Sequence, residues 1–347
     1  MMSAQPVIID ANSLIMRSVM ASALAELQAG GEFTGGIYGA LLSLRAALFQ
    51  PQTLPSILVA CFDDSLPPFR RAILPDYKRR RAERRQLLSP DALAEVRRQI
   101  RVCYRLFGLL GIRCLRYRNR EADDVVAAAV QVFVADGFTP TVVSSDRDLW
   151  QTVAFGARVY DFGRKRWLTE ENFERDVGVP VHTYVLYKAL VGDASDSISG
   201  VPGCGEKRAA PLMGLVREVL PAEPSIQLSV LVAKLSGAKR KFEQAIVTHR
   251  EAAEKAIRVM DLRASFGRTD ALRRRLYEPP SDVRVMEFLR ECWAMSFDVL
   301  RRDRGKYVEP YKRASERARA CCERVANRTR PRDRRLCRVS GLDPCPF

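Results

Sequence analysis

The chain has 347 residues, 47% hydrophobic and 28% charged, and its 57 Lys plus Arg against 41 Asp plus Glu give a formal net charge of +16. That balance excludes disorder over the whole length, and no apolar run nears the roughly 18 residues that a membrane span needs. Nine Cys with no CxxC pair argue against a secreted disulfide scaffold or a zinc ribbon and fit a reducing cytosol.

The opening MMSAQPVIIDANS lacks a basic n-region and meets an Asp at position 10, so it does not read as a signal peptide. VIID (7–10), ILVACFD (57–63) and PTVVSSD (140–146) are short β-branched runs that each end in an acidic residue. Continuous apolar runs of this kind are expected of buried parallel strands. Helical patterns lie between them, at about 36–49, from the cap Ser89 through Pro90 to Leu110 with a stop at Gly111, and at about 122–135. The β-α-β alternation predicts an α/β fold, a mostly parallel central sheet with helices on both faces. Beyond about 178 the texture changes to helices and tight Gly turns, with helical segments near 181–191, 206–219, 228–235, 240–259 and 283–295. We therefore expect an α/β unit over 1–178 that includes a basic segment at about 66–90, then a helical unit over 179–300. A basic, poorly ordered tail is expected over 301–347.

The positive charge is concentrated. Residues 301–347 hold 15 basic and 6 acidic residues, and residues 69–85 (FRRAILPDYKRRRAERR) hold 8 and 2. Those two stretches carry +9 and +6, leaving +1 for the rest, a distribution that suits a polyanionic partner such as nucleic acid. Tyr77, within the run Lys78, Arg79, Arg80 and Arg81, is an aromatic among cations, the combination that binds single-stranded nucleic acid by stacking and charge.

Ligands of open parallel sheets bind outside the carboxyl ends of the strands, so Asp10, Asp63 and Asp146 are expected to face one crevice. EADD adds Glu121, Asp123 and Asp124, SSDRD adds Asp148, and GDASD adds Asp193 and Asp196. Taken singly, each could be a helix cap or a surface charge. Converging, so many carboxylates must gain protons or take up cations. Hard Mg²⁺ or Mn²⁺ matches an all-oxygen shell. Two such ions about 4 Å apart would activate water and stabilise a leaving oxygen. Only His182 and His249 are present, so histidine-based or zinc-based hydrolysis lacks parts.

The segment GVPGCGEK (200–207) has Glu206 ahead of Lys207 and no Ser or Thr after it, which excludes a phosphate loop of the ATPase kind. Gly203 and Gly205, followed by Lys207 and Arg208, instead suggest a helix-hairpin-helix, whose glycine turn presents backbone N–H groups to a phosphate. An ordinary helical hairpin is the alternative. Cys321, Cys322, Cys337 and Cys345 in the tail match no common zinc spacing.

These motifs, in this order, resemble the structure-specific 5′ nuclease family of 5′–3′ exonucleases and flap endonucleases. They are IIDANS, TGGIYG (34–39), VACFD, YKRRR (77–81), EADD, SSDRD and GDASDSISGVPGCGEKRA (192–209). The resemblance runs from about Val7 to near 260. It implies a metal-dependent phosphodiesterase acting on DNA with 5′ ends, flaps or junctions. By that resemblance Asp10, Asp63, Glu121, Asp123 and Asp124 surround a first metal, and Asp146, Asp148, Asp193 and Asp196 a second. Lys78 and Arg81 steer the scissile phosphate from the base of a helical arch, beside Tyr77. Gly203 and Gly205 grip the duplex, with a potassium ion in many relatives. Ser197 and Ile198-Ser199-Gly200 stand where the family commonly has Asn and Ile-Pro-Gly, which puts the bonding of that turn in question. A free-standing cytoplasmic monomer working in replication, repair or primer removal is expected. Two alternatives stay open, a DNA-junction module without catalysis and a metal-dependent PIN-type ribonuclease.

Overall fold

The computed structural model describes residues 5–21, 26–48, 55–295, 297 and 307–329. Its centre is a six-stranded sheet ordered β5-β4-β1-β6-β7-β8. The strands are β1 (Gln5–Asp10), β4 (Pro55–Phe62), β5 (Arg113–Arg116), β6 (Thr141–Ser144), β7 (Arg158–Asp161) and β8 (Arg166–Leu168). All neighbours pair in parallel except the β7–β8 hairpin. Two short hairpins lie outside this sheet, β2–β3 (Gln28–Ala29 with Glu32–Phe33) and β9–β10 (Gly192–Asp193 with Ile198–Ser199).

The unbroken apolar runs follow from burial on both faces. Ile8 joins one core and its neighbours Val7 and Ile9 the other. Helices α1 (Ala11–Val19), α2 (Gly35–Leu48) and α5 (Pro90–Leu109) cover the Val7 and Ile9 face, and α6 (Ala122–Ala135) covers the Ile8 face. Local chemistry sets where they start. Asp10 accepts from the Ser13 amide at 3.0 Å to cap α1, and Ser89 accepts from Ala92 at 3.1 Å to cap α5, with Pro90 in its first turn. Glu121 and Asp124 form a reciprocal capping box at α6.

The basic segment holds two short helices, α3 (Pro68–Ile73) and α4 (Arg79–Gln86). Beyond α7 (Glu170–Val177) come α8 (Tyr184–Val191), α9 (Glu206–Leu212), α10 (Pro224–Lys234), α11 (Lys241–Thr248), α12 (Arg250–Met260), α13 (Asp270–Tyr277) and α14 (Val285–Ala294). The single helix expected over 240–259 breaks at His249, whose backbone leaves helical geometry. The segment expected to be helical over 206–219 tightens to 3₁₀ from Met213 to Val219, just past Pro211.

The tail expectation is corrected over 307–329. Glu309–Thr329 forms a helix, α15, that packs against β4. Tyr311, Ala314, Ala318, Cys321 and Cys322 are buried there, and Arg317 Nε donates to the Pro55 carbonyl at 3.0 Å. The Arg density hid this stripe because Ala and Cys carry little hydrophobic weight in a periodicity reading. Residues 301–306 and 330–347 lie outside the described residues, as do Cys337 and Cys345. No helix among the described residues is long and apolar enough to cross a membrane.

Candidate active site

The crevice opens where β1, β4 and β6 end and α6 begins. Asp10, the last residue of β1, is 3% exposed, and its second oxygen accepts from the Ser144 hydroxyl at 2.7 Å. Asp63 follows β4 and accepts from the Ala122 amide at 2.7 Å, while its own amide donates to Asn12 Oδ1 at 3.0 Å. Asp123 points into the same cavity from the first turn of α6, and Asp146 enters it just beyond β6.

The nine carboxylates divide by what already balances their charge. Asp10, Asp63, Asp123 and Asp146 have no ion-pair partner among the described residues. Burial, reinforced by mutual repulsion, pushes Asp10 up to about 7 and Asp123 well above the carboxylate range. Burial and then the Asp148 charge push Asp146 up to about 6. Asp63 reaches solvent at the mouth, yet the protein crowding its other sides raises it too.

The others are paired to protein cations. Lys188 Nζ lies 3.0 Å from Asp148 and 2.9 Å from Asp193. Burial alone would raise Asp193, but the Lys188 ammonium and two bonds from Ser195 outweigh it and hold the group at about 2. Asp196 meets Arg81 at 2.5 Å and Lys78 at 3.7 Å. Glu121 pairs with Lys78, accepts from the Tyr77 hydroxyl at 2.9 Å and from Arg70 at 2.9 Å.

Asp124 is fully buried and turns away from the cavity, bound by both terminal nitrogens of Arg70 at 2.6 and 3.0 Å. Arg70 is 2% exposed, and its Nε donates to the Val259 carbonyl of α12 at 2.9 Å. Asp124 therefore anchors the start of α6, and its neighbour Asp123 is the one presented to the cavity.

Tyr77 corrects a second expectation. At 7% exposed, with its ring beside Lys78 and Arg70 and its hydroxyl on Glu121, it offers no face for a base to stack on. Lys78 adopts a left-handed backbone (φ 58°) at the start of α4, fixed by its amide donating to the Asp196 carbonyl at 2.8 Å. The Arg80 amide donates to the Ser197 hydroxyl at 3.1 Å, which gives the departing Ser197 a definite task at the start of α4. Arg79 pairs outward with Asp76 and Glu83.

Gly192 and Gly200 cross so closely that a Cβ on Gly200 would stand 2.2 Å from the Val191 oxygen. At the following turn Gly203 has φ 73° and Gly205 precedes α9. Arg208 donates to the Gly203 carbonyl at 2.9 Å and lies over Phe242, bracing the turn, while Lys207 projects outward. Asp10, Asp63, Glu121, Asp123 and Lys78 line one cavity, and Asp148 and Asp193 an adjoining one that meets it at Arg81 and Asp146. Asp196 is tied to the junction through Arg81 and Lys78. The Gly203–Gly205 turn leads into Glu206, which lines the cavity that also holds Asp146, Asp148 and Asp193.

Arg70 and Lys188 were missed by sequence reasoning. Arg70 is indistinguishable from its neighbours in a charge run. Lys188 left a signal, the single charge inside the apolar helix YVLYKALV.

A family model described as 5′–3′ exonuclease, N-terminal resolvase-like domain, matches residues 5–178. The chain belongs to the 5′–3′ exonuclease family. It is thereby a nuclease, a phosphodiesterase. It is similar to a flap endonuclease Xni of Serratia proteamaculans (strain 568), 31% identical over 220 residues that cover 63% of this chain and 81% of the relative. It is also similar to a 5′-3′ exonuclease of Aquifex aeolicus (strain VF5), 33% identical over 61% of this chain and 71% of that one. In fold it resembles a bacteriophage T5 flap endonuclease solved as a pseudo-enzyme–product complex with DNA and metal ions. The TM-score is 0.60 at 17% identity, covering 90% of this chain and 99% of the other.

Proposed function

We propose that this chain is a divalent-cation-dependent 5′ nuclease that hydrolyses DNA at 5′ ends and 5′-flap junctions by a two-metal mechanism, in replication, repair or primer removal. The observation that carries the reading is the crevice set Asp10, Asp63, Asp123 and Asp146, four crowded carboxylates without protein counter-ions, beside Lys78 and Arg81. Among the described residues no three such groups are gathered closely enough to hold an ion as they stand. The donor chemistry nevertheless fits, because all are hard oxygens whose pKa values are raised by burial first and by neighbouring carboxylates second. Mg²⁺ or Mn²⁺ bound here would neutralise that charge, acidify a water and polarise the phosphodiester.

The chain's own groups supply the rest. Asp10 is oriented by Ser13 and Ser144, and Asp63 by Ala122, so both carboxylates are held in place before substrate arrives. Lys78 and Arg81 border the crevice and place positive charge where a phosphate gains negative charge during attack. On the other side Asp148 and Asp193 would hold a second cation in competition with the Lys188 ammonium, which already pairs with both. Lys207 and the Gly203–Gly205 turn hold the duplex arm, with potassium at the turn. The working unit is a monomer.

The test is a 5′-labelled flap incubated with Mg²⁺, with chelator, and with Asp10→Asn. Metal-dependent products that vanish in both controls are expected, and cleavage that survives chelation overturns the reading. Parallel RNA and RNA–DNA flaps separate this activity from a ribonuclease.

A further inference from the structure

A second cavity of about 780 Å³ meets the catalytic one at Ser13, Arg81, Ser145 and Asp146. Its outer wall has no assigned role. Resting on the nuclease reading above, we propose that Arg147, Arg164 and Arg166, gathered round Trp150, bind the sugar-phosphate backbone of a base-paired strand on the side of the cut away from the arch.

Three guanidinium carbons lie 5.7, 5.4 and 4.8 Å from the Trp150 ring centroid, from Arg147, Arg164 and Arg166 in that order. They come from separate places, Arg147 from between the two aspartates of SSDRD, the others from the β7–β8 hairpin. Between the last two, Lys165 takes a left-handed backbone (φ 52°), and the turn delivers residues 164 and 166 to the same indole. Asp161, fully buried under the hairpin, meets Arg164 at 2.9 Å and Arg166 only at 4.0 Å, and Arg147 has Glu206 at 3.8 Å. Asp176 lines the same cavity and its carbonyl accepts from Arg166 at 3.1 Å. Three cations and three anions thus share the wall, and only Arg164 is held in a close ion pair. The side chains of Arg147, Arg164 and Arg166 are 53%, 40% and 30% exposed, so their terminal nitrogens are open to an anion in the cavity. Crowded cations with spare donors are what an anion relieves.

The two cavities differ in chemistry, and that difference selects the occupant. The arch-side cavity has an apolar floor that includes Leu88, Ile100 and Tyr104, with Arg97 and Arg101 on its rim, which suits unpaired bases. On the Trp150 side the indole face is already covered by guanidiniums, so a base finds no surface to stack on. Groups of that kind contact backbone and leave bases unread, as fits a strand whose bases are paired elsewhere. A strand lying across the shared wall then passes from backbone contacts to base contacts as it crosses the carboxylates.

The experiment uses the full chain in chelator, with fluorescence anisotropy on a 5′-flap duplex, a blunt duplex and a single strand between 50 and 200 mM salt. For Arg164→Gln/Arg166→Gln the expected result is about tenfold weaker duplex binding, a salt slope shallower by about 1–2, and unchanged single-strand binding. Arg147→Gln, at an exposed position outside the hairpin, is expected to move the duplex in the same direction and guards against a misfolded double variant. An unchanged duplex slope in both variants, or an equal loss on the single strand, overturns the proposal. Flap cleavage by the parent protein with Mg²⁺ is scored separately. A parent that cuts while the variants bind normally sinks this inference alone, and a parent that fails to cut while the variants lose duplex binding sinks only the nuclease reading.

Discussion

The main-chain amide of Lys78 donates to the carbonyl oxygen of Asp196 at 2.8 Å, while the ammonium of Lys78 lies 3.7 Å from the Asp196 carboxylate. One lysine thus joins the start of α4 to the GDASD loop through its backbone and faces the crevice with its side chain. Only the second contact depends on side-chain identity. Lys78→Met is therefore expected to leave flap affinity within about threefold and to lower single-turnover cleavage by about 10²–10³. Single-turnover rates beside anisotropy in chelator give both numbers, and a loss confined to affinity would contradict the assignment.

Adjacent residues of EADD are expected to behave oppositely. Asp123→Asn removes a repelled charge from the crevice, so cleavage is lost while the fold is unharmed. Asp124→Asn breaks the paired guanidinium of Arg70, a buried site where losing one partner costs about 3–5 kcal/mol. Denaturant unfolding of both variants distinguishes them. Equal stability would show that Arg70 does not depend on Asp124.

Repulsion among Asp10, Asp63, Asp123 and Asp146 destabilises the metal-free protein, so Mg²⁺ should raise its thermal midpoint. At a hundredfold excess over its dissociation constant the gain is about 2.7 kcal/mol. Asp10→Asn should raise the midpoint in chelator and shrink the Mg²⁺-dependent rise. Scanning fluorimetry across a Mg²⁺ titration reads both effects, and a parent protein indifferent to Mg²⁺ would count against the cation site.

Truncation separates the two parts of the C-terminal segment. Ending the chain at residue 300 strips Tyr311 and Cys321 from their places against the cores and is expected to lower the midpoint by roughly 10 °C or more. Ending it at 329 keeps α15 and removes five Arg and two Asp. That protein should unfold at the parent's temperature and show a flatter salt dependence of DNA binding. Circular dichroism melts and binding isotherms check the pair, and an unchanged slope would show that 330–347 plays no part in affinity.

Much of the site was legible because strand-end aspartates are local signals. VIID, ILVACFD and PTVVSSD end in residues that a parallel sheet must present at one edge, and EADD marks its own helix start. The strands β5, β7 and β8 escaped notice because RCLR, RVYD and RWL carry Arg and hold too few apolar residues to stand out. Side-chain direction was not legible at all. Asp123 and Asp124 look alike in sequence, and only the position of Arg70, more than fifty residues earlier, decides which one faces the crevice. Tyr77 had the composition of a stacking residue, yet its hydroxyl found Glu121 and its ring went inside.

The guanidinium of Arg70 spans three stretches of chain, leaving from α3 to bind the first turn of α6 and the last turn of α12. Gln151 makes a similar crossing, donating to the Met260 carbonyl and accepting from the Leu262 amide at 3.0 Å. The acidic crevice is consequently not self-supporting on the first half of the sequence. A fragment ending near 178, where the family match ends, would keep Asp10, Asp63, Asp123 and Asp146 but lose Asp193, Asp196 and the Val259 carbonyl that steadies Arg70. Whatever pulls on the helical half is thus mechanically wired to the residues that would do the cutting.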